Sequence, residues 1–222
     1  MAKSPRERYR AQVRTEIKER AWEQIATAGA SALSLNAIAK KMGLSGPALY
    51  RYYSGRDELI TELVRDAYRS LADTLRTAAD EGAGLAGLGH ALRAWALEDP
   101  QRYLLLFGTP VPGYHAPAEV TGIASEVMEV LLDASADLTA DGTATPSTPS
   151  TPSTPFDAYL ADHRDWAEAH PAPPAALRLA LTFWTRLHGV VSLEVAGHFA
   201  TMGFDPAELF SAELEALLPP AS

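Results

Sequence analysis

Side chains able to donate hydrogen bonds to phosphates and base edges are concentrated between Ser34 and Asp57. This stretch reads SLNAIAKKMGLSGPALYRYYSGRD, and a helical interpretation turns two of its tyrosines and an arginine outward. Small residues at the start of such a helix let it lie deep in a major groove, where bases are distinguished. The pattern predicts a DNA-contacting surface made of Asn36, Lys40, Ser45, Gly46, Pro47, Ala48, Tyr50, Arg51, Tyr52 and Arg56.

The residue types predict different roles within this surface. Tyr50 and Arg51 are expected to make base or near-base contacts, whereas Lys40 and Tyr52 are expected to hold phosphates. Arg56 stands at the start of the next helix, where its charge opposes the helix dipole. A phosphate beside it would make both the charge and the dipole favourable, so Arg56 is predicted to bind phosphate as well.

Two short helices joined by a glycine-containing turn are needed to position these side chains. The first is predicted from Leu35 to Met42 with Ser34 as its cap, and the second from Gly46 to Tyr53. Apolar residues stand where the helices must pack, which predicts a helix-turn-helix. The alternative is a helical hairpin buried within a larger all-α protein. The apolar positions are Ile38, Ala39, Leu44, Leu49 and Tyr53.

The charge distribution agrees with contact between the N-terminal part and nucleic acid. The net charge is −9, but its distribution is uneven. Residues 1–56 hold 11 Lys/Arg and 4 Asp/Glu, whereas the remaining residues hold 8 Lys/Arg and 24 Asp/Glu. Such asymmetry indicates an end that faces nucleic acid and a different role for the rest. Lys3, Arg6, Arg8 and Arg10 are predicted to reach phosphate or the minor groove.

Helical periodicity continues along the chain, so the predicted fold class is all-α. A three-helix helix-turn-helix domain is expected at residues 1–56 and a larger helical domain at 57–222, linked by a long helix that starts at Arg56. Proline recurs every third residue from Pro146 to Pro155, which is typical of polyproline II. Residues 143–155 are therefore predicted to form a mobile loop.

The sequence gives less support to a catalytic or metal-binding function than to DNA binding. The chain has no cysteine, and His163 and His170 stand seven residues apart without a third ligand at helical spacing. No Ser-His-Asp order or glycine-rich phosphate loop is visible. We predict no enzyme activity, no cofactor and no metal site. The alternatives are a helical enzyme with a fortuitous helix-turn-helix, and a non-specific DNA-binding protein, which the acidic second part disfavours.

The sequence from residue 7 to residue 60 resembles the TetR family of bacterial regulators. The resemblance rests on Ile38-Ala39, Gly43-Leu44-Ser45, Ala48-Leu49-Tyr50, Tyr52-Tyr53 and Arg56-Asp57-Glu58-Leu59, although many members have histidine where this chain has Tyr52. Further residues look like the subgroup with a WHG-type C-terminal domain. They are Pro100, Tyr103-Leu104-Leu105-Leu106-Phe107, Trp184, His188 and Gly189.

The resemblance implies a sequence-specific repressor that a small-molecule effector releases from a palindromic operator. It also implies an internal cavity, so the aromatic residues of the second domain become candidates for binding an apolar or aromatic effector. Each of them could equally belong to a plain core. The candidates are Trp95, Tyr103, Phe107, Tyr114, Val127, Phe183, Trp184 and His188.

A homodimer is predicted because the helix from Ala175 to Phe199 is too apolar for the surface of a monomer. One stripe of small residues on it would let two helices approach closely, and the last helix offers a second apolar face. The alternative is that the small stripe packs within the subunit and only the last helix pairs with a second copy. The predicted interface consists of Thr182, Thr185, Gly189, Ser192, Phe210, Leu214 and Leu217.

The chain carries no signal-peptide pattern and no run of about 18 apolar residues, so no membrane association is expected. These features predict a cytoplasmic protein. For a bacterial regulator of this kind, association with the nucleoid is expected when operator DNA is bound.

Overall fold

The computed structural model describes residues 4–141, 154–167 and 170–218, and every regular element among them is helical. This confirms the predicted all-α class. The α-helices are α1 (Pro5–Ala28), α2 (Leu35–Lys41), α3 (Gly46–Leu49), α4 (Arg56–Asp80), α5 (Leu85–Glu98), α6 (Pro100–Phe107), α7 (Ala118–Asp141), α8 (Pro155–Asp162), α9 (Pro174–Val195) and α10 (Pro206–Leu217).

The chain forms two compact units. The first, called the N-terminal unit, comprises Met1–Ala67 and Gln101–Val120, and the second, called the C-terminal unit, comprises Tyr68–Pro100 and Thr121–Ser222. The boundary that we predicted at residue 56 coincides with the start of α4. The N-terminal unit nevertheless includes the first half of α4 and nearly all of α6, which the sequence pattern did not indicate.

The ends of α1 follow the chemistry of its sequence. The Ser4 hydroxyl accepts a hydrogen bond from the Glu7 amide at 3.2 Å, and the Glu7 carboxylate accepts one from the Ser4 amide at 2.7 Å. This reciprocal capping satisfies two amides that have no partner within the helix. Gly29 ends α1 at a φ of 76°, a left-handed conformation that glycine adopts without strain.

Three predicted helices are longer than those observed. After Leu49 the chain continues as a turn over residues 50–52 rather than as helix to Tyr53. The sequence pattern of residues 156–170 also predicts one helix, but the described residues there form α8 and a short 3-10 turn, Asp165–Ala167. The helix expected to reach Phe199 ends at Val195, because Gly197 takes a φ of 78° and reverses the chain.

The core of the C-terminal unit is built around α9, against which α5, α8 and α10 pack. Gly89 on α5 permits close packing, since a Cβ there would lie 3.1 Å from Leu187 and 3.2 Å from Leu214. The buried side of α9 consists of Ala176, Leu177, Ala180, Phe183, Leu187, Val190 and Val191.

No helix in the described part of the chain is long and apolar enough to cross a membrane.

The predicted mobile loop at residues 143–155 lies largely outside the described residues. Its last two members are described, and they belong to the start of α8. Thr154 caps the helix by accepting a hydrogen bond from the Asp157 amide at 3.1 Å, and Pro155 is the first helical residue. The prediction of a mobile loop is therefore wrong for these two residues.

Candidate DNA-binding surface

The α2–turn–α3 segment is fixed from behind by apolar side chains. Ser34 caps α2 by accepting a hydrogen bond from the Ala37 amide at 3.4 Å. Gly43 takes a φ of 67° in the turn, where a β-carbon would be strained. The Leu44 amide then closes the turn on the Ala39 carbonyl at 2.9 Å. The buried residues behind this segment are Leu35, Ile38, Ala39, Leu49 and Tyr53.

None of the ten residues predicted to contact DNA is buried. Tyr50, one of the two residues predicted to contact bases, is 47% exposed. A surface that reads DNA must present donors to solvent on a rigid support, and this arrangement meets both conditions. The exposed members are Asn36, Lys40, Ser45, Pro47, Tyr50 and Arg51, and the half-buried ones are Gly46, Ala48, Tyr52 and Arg56.

Arg56 has a structural role that the sequence analysis missed. Its Nη2 donates hydrogen bonds to the carbonyl oxygens of Ala30 and Ser31 at 3.1 and 3.2 Å. Its Nη1 also lies 3.8 Å from the carboxylate of Asp57. Arg56 therefore links the start of α4 to the connection between α1 and α2, in addition to any contact with phosphate.

Charged residues of α1 and α4 form a second set that the sequence analysis missed. Arg14 forms an ion pair with Glu62, and Lys18 lies 3.4 Å from Glu62 and 2.7 Å from Asp66. Both pairs of like charges are four residues apart, so each pair lies on one face of its helix. This matched spacing was visible in the sequence, but the proximity of the two helices was not.

Hydrogen bonds also fix the ionisation of a carboxylate near this surface. The Glu58 carboxylate accepts a hydrogen bond from the Ser54 amide at 2.6 Å. Hydrogen bonds from the backbone and the hydroxyl of Ser54 hold the pKa of Glu58 below its usual range. Arg6, Arg8 and Arg10 belong to α1 and are exposed. Arg6 and Arg10 are four residues apart and share one side of the helix, whereas Arg8 lies on the other side. Lys3 lies outside the described residues.

Comparison with known proteins identifies the family. Residues 17–63 match the model described as "Bacterial regulatory proteins, tetR family", and residues 85–217 match "Tetracyclin repressor-like, C-terminal domain". The chain belongs to the TetR family. It is therefore a DNA-binding transcriptional regulator, which confirms the principal prediction from the sequence.

Individual relatives of this TetR-family chain agree with the assignment. HTH-type transcriptional regulators of Mycobacterium bovis and Mycobacterium tuberculosis are each 35% identical over 217 residues, covering 94% of this chain and 92% of theirs. The crystal structure of regulatory protein SCO4313 is 67% identical, with a TM-score of 0.87, and covers 98% of this chain and 100% of that one. The TetR-family regulator PfmR from Thermus thermophilus shares the fold, with a TM-score of 0.60, 15% identity and coverage of 91% and 96%.

The eight residues predicted for the effector site of this TetR-family regulator belong to both units. In the C-terminal unit Trp95, Val127 and Phe183 are buried, and Trp184 and His188 are half-buried with ring centroids 3.9 Å apart. The Trp95 indole donates to the Ser70 hydroxyl at 3.0 Å. Burial lowers the pKa of His188 to about 4, so this imidazole is neutral at physiological pH.

The other three predicted residues lie in the N-terminal unit. Tyr103 is buried, and its ring centroid lies 5.2 Å from that of the half-buried Phe107. The Tyr114 hydroxyl shares a hydrogen bond of 3.1 Å with the hydroxyl of Thr61 on α4. Two surface clefts of about 580 and 320 Å³ occur in the C-terminal unit, and none of the eight predicted residues lines either of them.

The predicted dimer residues divide into two groups. Thr185 and Gly189 are exposed, and Thr182, Ser192 and Leu217 are half-buried, so their proposed role remains open to test. Phe210 and Leu214 are only 1% and 3% exposed. The prediction that these two residues face a second copy is wrong, because α10 packs them inside the subunit against α5 and α9.

Proposed function

We propose that this chain is a repressor that binds a palindromic operator as a homodimer and releases it when a small apolar or aromatic effector binds. It acts as a regulator without catalytic activity, in the bacterial cytoplasm and at the nucleoid when bound. The observation that carries the DNA-binding part is the exposed face of Tyr50 and Arg51 above a fully buried Leu49 and Tyr53.

Selection of bound sequences from a random duplex library tests the operator. The expected result is a palindromic motif, because a twofold dimer places two recognition helices in successive major grooves. Arg69→Ala is the matched control, since Arg69 is an exposed arginine of α4 in the C-terminal unit. The control should select the same motif. An unstructured or asymmetric consensus from the wild-type protein would contradict a palindromic operator.

The effector proposal rests on family membership and on the aromatic character of the C-terminal unit. Trp184 and His188 are adjacent on α9, and a neutral imidazole has one nitrogen that donates a hydrogen bond and one that accepts. A panel of aromatic and aliphatic compounds should contain members that release a fluorescent operator duplex. Those compounds should lose this effect in His188→Leu, whereas Arg69→Ala should respond as the wild type does. Unchanged release from His188→Leu would contradict the assignment of His188.

The dimer proposal rests on the exposed side of α9. Apart from its chain neighbours and the nearby backbone of α9, no atom of the described residues would lie within 4 Å of a Cβ at Gly189, so a larger side chain fits the isolated subunit. Gly189→Leu should therefore separate the dimer without unfolding it, because small residues permit close helix packing.

Gly122 offers a matched control for this experiment. It is also exposed on a helix, and a Cβ placed there would meet no described atom within 4 Å beyond its chain neighbours and the nearby helix backbone. Light scattering at micromolar concentration should show a monomer for Gly189→Leu and a dimer for Gly122→Leu. A dimeric Gly189→Leu protein would contradict the proposed interface, and a monomeric wild type would contradict the homodimer itself.

A further inference from the structure

The recognition helix α3 is too short to hold its own orientation. It comprises four residues, Gly46–Leu49, followed by a turn over residues 50–52. A single helical turn has few internal hydrogen bonds and is not stable in isolation. The carbonyl groups at its C-terminal end also lack partners within the helix. Other parts of the N-terminal unit must therefore fix the position of Tyr50 and Arg51.

Two arginines of α1 bind carbonyl groups of the turn that follows α3. Arg14 Nη1 donates a hydrogen bond to the Tyr52 carbonyl oxygen at 2.8 Å, and Arg10 Nη2 donates to the Arg51 carbonyl oxygen at 3.4 Å. The Arg14 guanidinium carbon also lies 4.3 Å from the ring centroid of Tyr53, which is fully buried. Arg14 thus contacts the backbone and the anchoring side chain of the same turn.

Glu62 on α4 holds Arg14 in this position. Its carboxylate accepts a hydrogen bond from Arg14 Nη2, and its side chain is only 15% exposed. Burial alone would raise the pKa of Glu62, but the hydrogen bond from Arg14 and the charges of Arg14 and Lys18 hold it below the usual range. Glu62 is therefore ionised at neutral pH. Its negative charge holds the Arg14 guanidinium in contacts within the protein.

We propose that Arg14 and Glu62 are positioning residues that set the orientation of the recognition helix and hence its sequence specificity. The guanidinium is neutralised by Glu62 and its donors point toward protein atoms, so Arg14 adds little to phosphate binding. Loss of the pair loosens the turn that carries Tyr50 and Arg51. Binding to the correct bases then weakens, whereas attraction to the phosphate backbone persists.

Arg14→Gln and Glu62→Gln test this proposal. A duplex carrying the motif that the wild-type protein selects from a random library is compared with a scrambled duplex of equal length. Each variant should bind the selected duplex about tenfold more weakly, a size typical of coupled contacts. Binding to the scrambled duplex should change less than about twofold, and the slope of log K against log salt should stay unchanged. Arg20→Gln is the control, since Arg20 pairs with Glu23 on its own helix.

The ratio of the two affinities separates positioning from simple destabilisation. A variant that is partly unfolded loses active protein, which lowers both affinities equally and leaves their ratio unchanged. The double variant should be no worse than either single variant, because both remove one linked contact. A salt slope flattened by about one unit in Arg14→Gln would instead identify a phosphate contact. That outcome, or equal losses on both duplexes, would overturn the proposal.

Discussion

The residues predicted to be functional differ in solvent exposure between the two units. In the N-terminal unit, all ten residues predicted to contact DNA are exposed or half-buried. In the C-terminal unit, Trp95, Val127 and Phe183 of the predicted effector site and Phe210 and Leu214 of the predicted interface are buried. The comparison teaches that helical spacing predicted the exposure of the residues around α3, but it did not predict which apolar side chains of the C-terminal unit are covered within the subunit.

The physical reason is that an aromatic side chain serves equally well in a core and in a binding site. A surface tyrosine or arginine, in contrast, contributes little to folding and is free to serve binding. Substitutions of buried core residues in the C-terminal unit should therefore change stability without changing DNA affinity. Substitutions on the exposed face of the N-terminal unit should do the reverse.

The largest effect on stability is expected at the buried carboxylate of the C-terminal unit. Asp157 is fully buried, and it accepts hydrogen bonds from Arg178 Nε at 2.7 Å and from the Thr154 amide at 3.0 Å. Arg178→Met should lower the free energy of unfolding by about 3 kcal/mol, because it leaves a buried charge with one fewer partner. Urea denaturation gives this value, and operator affinity should not change.

Arg186→Met provides the matched control on the same helix. Arg186 Nη1 lies 3.6 Å from the Glu213 carboxylate, and both side chains are partly exposed. Surface pairs of this kind contribute about 0–1 kcal/mol. Equal destabilisation by Arg178→Met and Arg186→Met would contradict the importance assigned to the buried pair.

A change in stability of comparable size is expected when the pH falls, because His188 is buried. Burial lowers the pKa of His188 to about 4 in the folded protein, whereas an unfolded histidine titrates near about 6.5. As pH falls from 6.5 to 4, the unfolded state takes up a proton that the folded state does not. Stability should fall by about 3 kcal/mol across this window. His188→Gln should lack this component, and an identical pH profile in both proteins would contradict the assignment.

Arg56→Ala should have a smaller effect, on both stability and binding. Loss of the hydrogen bonds to the Ala30 and Ser31 carbonyl groups should cost about 1 kcal/mol. Loss of a phosphate contact should weaken binding to all sequences and flatten the salt slope by about one unit. A changed sequence preference with an unchanged salt slope would show that Arg56 does not bind phosphate.

Lys40→Ala should cause the smallest change in stability of these substitutions, and so it tests whether an exposed residue of the N-terminal unit serves DNA binding alone. Lys40 is exposed on α2, so its removal should leave the melting temperature within about 2 °C, since surface substitutions typically change stability by under about 0.5 kcal/mol. The salt slope should flatten by about one unit, with affinity lost evenly across sequences. A substantial loss of stability would show that Lys40 supports the fold instead.

The sequence predicted local structure well and packing partners poorly. The capping box at Ser4 and Glu7, the end of α1 at Gly29 and the turn at Gly43 follow from local chemistry and were predictable. The burial of Phe210 was not, because periodicity shows which face of a helix is apolar but not which element covers it.

The same limit explains why the Arg14–Glu62 pair escaped sequence analysis. Its residues are 48 positions apart, and only the folded N-terminal unit shows that they meet. The early end of α3 was also missed, since the apolar spacing of Leu49 and Tyr53 fits a turn as well as a helix. In each case, tertiary contacts decided what local preference left open.

The most direct test of the account is the ratio of affinities for the selected palindrome and a scrambled duplex at one fixed salt concentration. The wild-type protein should prefer the palindrome by about 10³-fold or more. The double variant Tyr50→Ala/Arg51→Ala should lose most of that preference while keeping its melting temperature and its binding to the scrambled duplex. A wild-type protein that binds both duplexes equally, or a double variant that keeps the full preference, would contradict recognition of DNA through the exposed face around α3.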